Sequence, residues 1–359
     1  MELGKIVRPR VLIGLAATAV MVVVVVAQTG AVSADRARTR FQPAAIVSGR
    51  ATSTKPVTFE QMRSARPMRV PSPAAGASDG APGANGPAGT IAGALPDGGH
   101  ASTLAAPSTG RAVNTMAGGF AYPTPFDRYP VTSRSTYPQS TVGKVFFTQQ
   151  GGTYVCSAAV ISERAVWTAG HCVSDGAGHY DTAMTFVPQY QNGVRPKGTF
   201  TCTKFTTFAQ WHTGLNFRFD QAVVTCGVNA NGQTLRAAVG RLGFAYNQAQ
   251  PKHYNAFGYP ATAPFNGETM QQCASSFGHN DTRIGGTGAT PFAIGCDMTG
   301  GASGGPWILK YAPGSTGAAV NLLNGHNDYK YLPKEPLEMY SPYLDTNSHN
   351  LVCNATELC

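Results

Sequence analysis

Three stretches of the 359-residue chain hold side chains that could act on one another. Thr168-Ala169-Gly170-His171-Cys172 sets a histidine on a turn directly after the apolar Val166-Trp167. Gly300-Gly301-Ala302-Ser303-Gly304-Gly305-Pro306 sets a serine among glycines, and Asp220 heads the run Gln221-Ala222-Val223-Val224 between the two. A serine hydroxyl becomes a useful nucleophile only when a base takes its proton and backbone N–H groups hold the developing oxyanion. A buried carboxylate can fix the tautomer of such a base and stabilise its charged form. Glycine lets the chain turn tightly and bare its amides. Each stretch also has a plainer reading: a structural histidine beside a cysteine, a flexible glycine turn, an aspartate capping a strand. Against the flexible turn stand its flanks, Cys296 on one side and Trp307-Ile308-Leu309 on the other. Asp175 and Asp181 follow His171 too soon, in a Gly-rich loop, to be its partner.

The elements that must position these residues are short and β-prone. Val142–Thr148, Thr153–Cys156, Ser157–Ile161, Gln221–Thr225 and Ala318–Leu323 read as strands separated by Gly, Pro and Asn, and no long helical period emerges. Residues from about 119 to 359 therefore form an all-β domain, a barrel pair or a sandwich. Residues 35–118 are rich in Ala, Gly, Pro and Ser, with few aromatics. Such a pro-segment or linker is expected to lack order of its own.

At the front, Lys5, Arg8 and Arg10 precede an apolar run from Val11 to Ala27, and Val32-Ser33-Ala34 offers small residues for cleavage. Residues 1–34 read as a signal peptide, hence export to the extracellular space, with a retained membrane anchor as the alternative. The net charge of +9 is concentrated here: residues 1–118 hold 12 Lys and Arg against 5 Asp and Glu, or +7, and the remainder 15 against 13, or +2. A nearly neutral folded part argues against a nucleic-acid surface. All eight cysteines, at 156, 172, 202, 226, 273, 296, 353 and 359, lie beyond residue 150 without a CxxC pair. An even count in an exported chain implies disulfides rather than a metal site. Order and spacing suggest Cys202 with Cys226, Cys273 with Cys296, and Cys353 with Cys359.

The histidine and serine stretches resemble the motifs of the trypsin-like (chymotrypsin-fold) serine peptidases over roughly residues 138 to 345. In that family a cysteine upstream on the preceding strand bridges the one beside the histidine, which implies Cys156 with Cys172. The resemblance implies two antiparallel β-barrels with His171 and Asp220 from the first and Ser303 from the second. It also implies an oxyanion hole made by the N–H groups of Gly301 and Ser303. Asp220-Gln221-Ala222-Val223 is similar to the family's Asp-x-Ala-hydrophobic signature. Ala302 stands where animal trypsins carry an activation aspartate, so that switch cannot operate. With Gly258-Tyr259-Pro260 and the spacing from Asp297 to Ser303, this brings the chain closer to the bacterial branch that includes glutamyl endopeptidases. Asp297, six residues before Ser303, would either floor a pocket for Arg or Lys or be an aspartate that the glutamyl branch also carries. Aligning Gly325 puts Asn327 where that branch has a histidine, with His326 one residue early, which leaves glutamate preference doubtful. Asp328 and Tyr329 would begin the strand that pairs with substrate. The histidines at 100, 179, 212, 253, 279 and 326 are expected at surface or satisfied loop positions. The resemblance thus implies a secreted, monomeric zymogen-derived endopeptidase acting on polypeptides without metal or cofactor. The alternatives are a catalytically silent binding module and an esterase or acyl hydrolase using the same triad.

Overall fold

Alternation along Val142–Gln149 divides its side chains between two interiors: Val145 and Phe147 join one buried cluster, Val142 and Phe146 another. That period of two is what a strand walled on both faces requires. The structure is a computed structural model describing residues 43–69, 71–73, 83–99, 124–317 and 319–359. The expected signal peptide lies outside the described residues.

In chain order the strands begin with β1 (Ile46–Arg50), β2 (Arg66–Pro67), β3 (Gly89–Ile91) and β4 (Phe126–Pro130). The first sheet proper is made by β5 (Val142–Gln149), β6 (Gly152–Val160), β7 (Ala165–Thr168), β8 (Ala183–Pro188), β9 (Phe200–Phe208) and β10 (Ala222–Cys226). It runs β9-β10-β7-β6-β5-β8 and closes where β8 pairs back onto β9. The second comprises β11 (Gly243–Tyr246), β12 (His253–Gly258), β13 (Gln271–Asn280), β14 (Phe292–Gly295), β15 (Pro306–Leu309), β16 (Leu322–His326) and β17 (Glu338–Ser341). Its order is β17-β14-β13-β12-β15-β16-β11, and the chain just past β16 meets β17 again through a Tyr329–Tyr340 bridge. The fold is thus the all-β, two-barrel arrangement. The runs expected at 153–156 and 157–161 are one strand, β6, and the one expected at 318–323 starts only at Leu322.

Three cores follow. Val145, Phe147, Phe186, Phe200 and Val224 fill the first barrel, and Tyr254, Phe292, Ile294, Trp307 and Met339 the second. Between them Phe146, Trp167, Phe257, Ile308 and Leu323 join the two sheets. Each such side chain contributes about 1.5–3 kcal/mol by leaving water, and the shared central cluster holds the two sheets together. Disulfides join Cys156 to Cys172, Cys202 to Cys226, Cys273 to Cys296 and Cys353 to Cys359. The helices are short: α1 (Phe59–Ser64), α2 (Ala209–His212), α3 (Leu235–Val239) and α4 (Thr346–Ala355). Helix α4 starts on an Asp345 capping box and packs Leu351 and Val352 into the central core. No helix among the described residues is long and apolar enough to cross a membrane.

One expectation needs correction. Described parts of the 35–118 segment are ordered: β1 pairs with β9, β2 with β6 and β3 with β11, and α1 has a Thr58 capping box. Composition measures what a segment can bury alone. This one instead completes the free edges of two existing sheets, which supply its hydrogen-bond partners.

Candidate active site

Strand β7 ends at Thr168, and the chain tightens into a 3₁₀ turn over Gly170–Cys172 that carries His171 inward. Gly170 is needed there, since a Cβ would meet Asp220 Oδ1 at 2.8 Å. Asp220, just before β10, is fully buried and holds the histidine twice. Its Oδ1 accepts the His171 backbone N–H at 2.7 Å, and its Oδ2 faces Nδ1 at 2.9 Å. A ring tied at backbone and side chain has its tautomer fixed, with Nδ1 protonated and Nε2 free to accept.

The serine loop is held by backbone. Gly301 (φ +98°) and Gly304 (φ +79°) take left-handed conformations that other residues resist. The Ser157 N–H donates to the Ser303 carbonyl at 2.7 Å and the Ser157 hydroxyl to the Gly301 carbonyl at 2.9 Å, tying the loop to β6 in the first barrel. Gly304 N–H donates to the Asn327 carbonyl at 2.7 Å. A Cβ on Gly304 would strike Thr168 and Ala169, so the serine loop abuts the histidine turn. Ser303 Oγ and His171 Nε2 are both buried, and among the described residues neither has a hydrogen-bond partner. These are the two atoms between which a proton would pass, and such bonds often tighten only around substrate.

Past β16 the side chains are not where the sequence put them. His326, expected at a surface or loop position, is wholly buried: Nδ1 accepts from the Trp167 indole N–H at 3.2 Å, and Nε2 donates to the Asp220 carbonyl at 3.0 Å. Burial pushes its pKa down to about 4. Asn327 turns inward, donating to the Phe257 and Ala302 carbonyls at 2.8 and 3.2 Å and accepting from the Trp307 indole at 2.9 Å. Asp328, expected to begin the strand that pairs with substrate, has its side chain at the histidine, with Oδ1 3.4 Å from His171 Nδ1. Tyr329 stacks on Tyr340 and donates to Asp281 Oδ2 at 2.8 Å. Both side chains are buried, Asp328 toward His171 and Tyr329 against Tyr340. The outward N–H is that of Lys330, one residue on, which no sequence signal marked.

His171 feels opposing effects. Burial disfavours its charged form, but Asp220 and Asp328 together outweigh that and push it up to about 10. Asp297 pairs with Arg128 Nε at 3.1 Å, and its second oxygen is buried without a partner among the described residues. The ammonium of Lys330, buried beside it, donates to the Cys296 and Pro336 carbonyls at 2.7 Å each, and burial pushes it down to about 7 against the pull of Asp297 and Glu338. Among the other histidines, His179 is exposed beside Asp175, and His212 meets the Ser174 hydroxyl at 2.7 Å. His100 lies outside the described residues.

A segment of the 35–118 region crosses this cleft. Arg66 and Pro67 run parallel to Tyr154 and Val155 of β6. The Met68 N–H donates to the Val155 carbonyl at 3.1 Å, and the Met68 carbonyl accepts the Gly301 N–H at 3.1 Å. The Pro71 carbonyl accepts the Lys330 N–H at 3.1 Å.

Residues 131–321 match the Trypsin family model. Among solved structures the chain is similar to the protease Anisep from Arthrobacter nicotinovorans, at 35% identity and a TM-score of 0.54 over 60% of this chain and 95% of that one. It is also similar to the thermostable serine protease AL20 from an extremophilic microorganism, at 32% identity and a TM-score of 0.54 over 60% and 97%. A Glu endopeptidase shares the fold at 18% identity and a TM-score of 0.50 over 64% and 95%. No curated protein matches the chain. With more than half its length matched, on the two-barrel fold, the chain belongs to the trypsin family and is a trypsin-like serine endopeptidase.

Proposed function

We propose that the protein is a secreted serine endopeptidase that works through an acyl-enzyme on Ser303, with His171 as base and then acid, and Asp220 orienting it. The doubly held His171–Asp220 pair, with Nε2 left over on the side of the serine loop, carries this reading. Ser303 Oγ attacks the carbonyl while Nε2 takes its proton, and the N–H groups of Gly301 and Ser303 hold the oxyanion. Nε2 then returns the proton to the leaving amine, and water repeats the sequence to free the enzyme. Four disulfides and the apolar segment at Val11–Ala27 support export.

The same reading makes the chain a zymogen inhibited by its own residues 66–71. The Met68 carbonyl takes the Gly301 N–H that a scissile carbonyl would need. The segment runs opposite to the direction a substrate needs. The leaving amine of a substrate must lie on the side of His171, which the Cys156–Cys172 bridge ties to β6. A substrate therefore has its later residues along β6, whereas the leader has its earlier residues Arg66 and Pro67 there. The amide nitrogen following Met68 is thereby directed toward Lys330, away from the histidine that would have to protonate it.

The test is fluorophosphonate labelling of the full and the processed protein, each beside a Ser303→Ala variant, followed by cleavage of a mixed peptide library. Labelling confined to Ser303, faster after processing, with peptide cleavage lost in the variant, is the expected result. A processed, folded protein that neither labels nor cleaves would return the chain to a binding role. Turnover of esters without peptides would make it an acyl hydrolase.

A further inference from the structure

Asp328 is the group this mechanism has not used. It is fully buried, and neither of its carboxylate oxygens has a hydrogen-bond partner among the described residues. Its Oδ1 lies 3.4 Å from His171 Nδ1, but that nitrogen has one proton to give and Asp220 Oδ2 stands nearer, at 2.9 Å. Oxygens of both carboxylates and a ring nitrogen of His171 all fall within 4.8 Å of one another. Two carboxylates sharing one imidazole in dry surroundings cannot both remain ionised.

The other charged and titratable groups nearby do not relieve the crowding. His326 is held neutral, accepting from Trp167 and donating to the Asp220 carbonyl. The Lys330 ammonium is committed to the Cys296 and Pro336 carbonyls. Arg218, two residues before Asp220, directs its guanidinium at the Ile284, Gly285 and Gly288 carbonyls. Tyr329 gives its hydroxyl to Asp281. What remains is a proton on one carboxyl. Asp220 accepts from two donors, whereas neither Asp328 oxygen has one among the described residues, so the proton belongs on Asp328.

We propose that Asp328 is a positioning residue of the active site, a neutral carboxylic acid whose O–H donates to Asp220 and steadies it against His171. The assignment rests on the triad reading. Burial, and then the charge of Asp220, push Asp328 well above the usual carboxylate range. The arrangement also suits the base. Facing two ionised carboxylates, His171 would stay protonated to about pH 10 and could take no proton from Ser303 near neutrality. With Asp328 neutral, one negative charge faces the ring, and an imidazole that ionises nearer the working pH is the better base.

The test reads the pH dependence of Ser303 labelling in the processed protein and in Asp328→Asn, Asp328→Ser and Asp328→Ala variants. Asparagine and serine stay neutral and can donate; alanine cannot. The expected result is an acid limb in Asp328→Asn and Asp328→Ser that coincides with the parent's, and a plateau rate in Asp328→Ala lower by about 10- to 100-fold, the size of losing a hydrogen bond to a charged group. The parent should also lose rate at high pH as Asp328 ionises, a limb absent from the asparagine variant. An acid limb lower by about one unit or more in either neutral variant would show that Asp328 had carried charge, and overturns the proposal. So does an alanine variant as fast as the parent. If Asp328→Asn does not fold, Asp328→Ser decides. Failure of the parent itself to label removes the triad reading, and the proposal with it.

Discussion

The turns that carry His171 and Ser303 and the segment 326–330 meet in one cleft under different constraints. In the turns the backbone does the work: Gly170 admits Asp220, while Gly301 and Gly304 take left-handed conformations, Gly301 giving its N–H to the Met68 carbonyl and Gly304 to the Asn327 carbonyl. Few residue types can stand at such positions, so the turns leave a pattern in the sequence. Along 326–330 the chain leaves β16 and meets β17 only through the Tyr329–Tyr340 bridge, every side chain is buried, and the fold around it decides which of them faces His171. Many residue types could satisfy that, and the outcome is invisible until the register is known. Chemistry is concentrated in the first region and its tuning in the second.

That division predicts unequal effects. The largest belongs to the turns: Asp220→Asn should cut kcat by roughly 10⁴-fold, because an asparagine reverses the donor pattern and leaves His171 in the wrong tautomer. KM for peptides should stay within a few-fold, measured on folded, processed protein. A loss below about tenfold would mean that something else orients the ring, and the contrast between the two regions would collapse.

His326, in the second region, should act on stability. Its folded pKa, lowered from 6.5 to about 4 by burial, means that the fold favours the neutral ring. Its contribution is therefore complete above pH 6.5 and is lost as the pH falls through 4. At about 1.4 kcal/mol per unit the shift is worth roughly 3 kcal/mol. His171 is raised, so its contribution is present below its unfolded pKa of about 6.5 and fades only as the pH rises above that value, outside this window. His326→Gln should accordingly show a flatter dependence of unfolding free energy between pH 6.5 and 4 than the parent. Parallel curves would mean that His326 is not desolvated.

These two residues also show what could be read beforehand. The family and the two-barrel fold were legible from five residues around His171, seven around Ser303, and strands of alternating character. His326 was not, because a histidine without a motif carries no sign of its burial, and Asp328 pointed to substrate only through a strand alignment that could not fix side-chain direction. The ordered leader was missed for a related reason, since Ile46–Arg50 and Gly89–Ile91 are strands only because β9 and β11 offer them edges.

Asn327 links the two regions, and its loss should fall between theirs. Asn327→Ala strands the Trp307 indole N–H and removes donors from the Phe257 and Ala302 carbonyls. The expected cost is about 1–3 kcal/mol of stability by denaturant unfolding. Since Ala302 adjoins Ser303, kcat should fall as well, by about tenfold, through a looser serine loop. A stability loss with unchanged kcat would show that the loop is positioned without this anchor.

The smallest effect tests Asp297, where the contrast is sharpest. The resemblance puts its carboxylate at a pocket floor, yet Arg128 already holds one oxygen at 3.1 Å and the other is buried with no partner among the described residues. The pair is partly exposed, with the Arg128 side chain 35% accessible, so it is worth at most about 1 kcal/mol to the fold. Removing it should leave the protein intact while uncovering the charge. If Asp297 floors the substrate pocket, Arg128→Ala should raise kcat/KM for peptides with Arg or Lys before the cut by about tenfold relative to Ala, because a substrate cation can take the vacated place. The ratio for Glu over Ala should fall at the same time. If neither ratio moves, the Asp297 carboxylate does not reach the substrate, and the residue before the cut is chosen elsewhere on this side of the cleft.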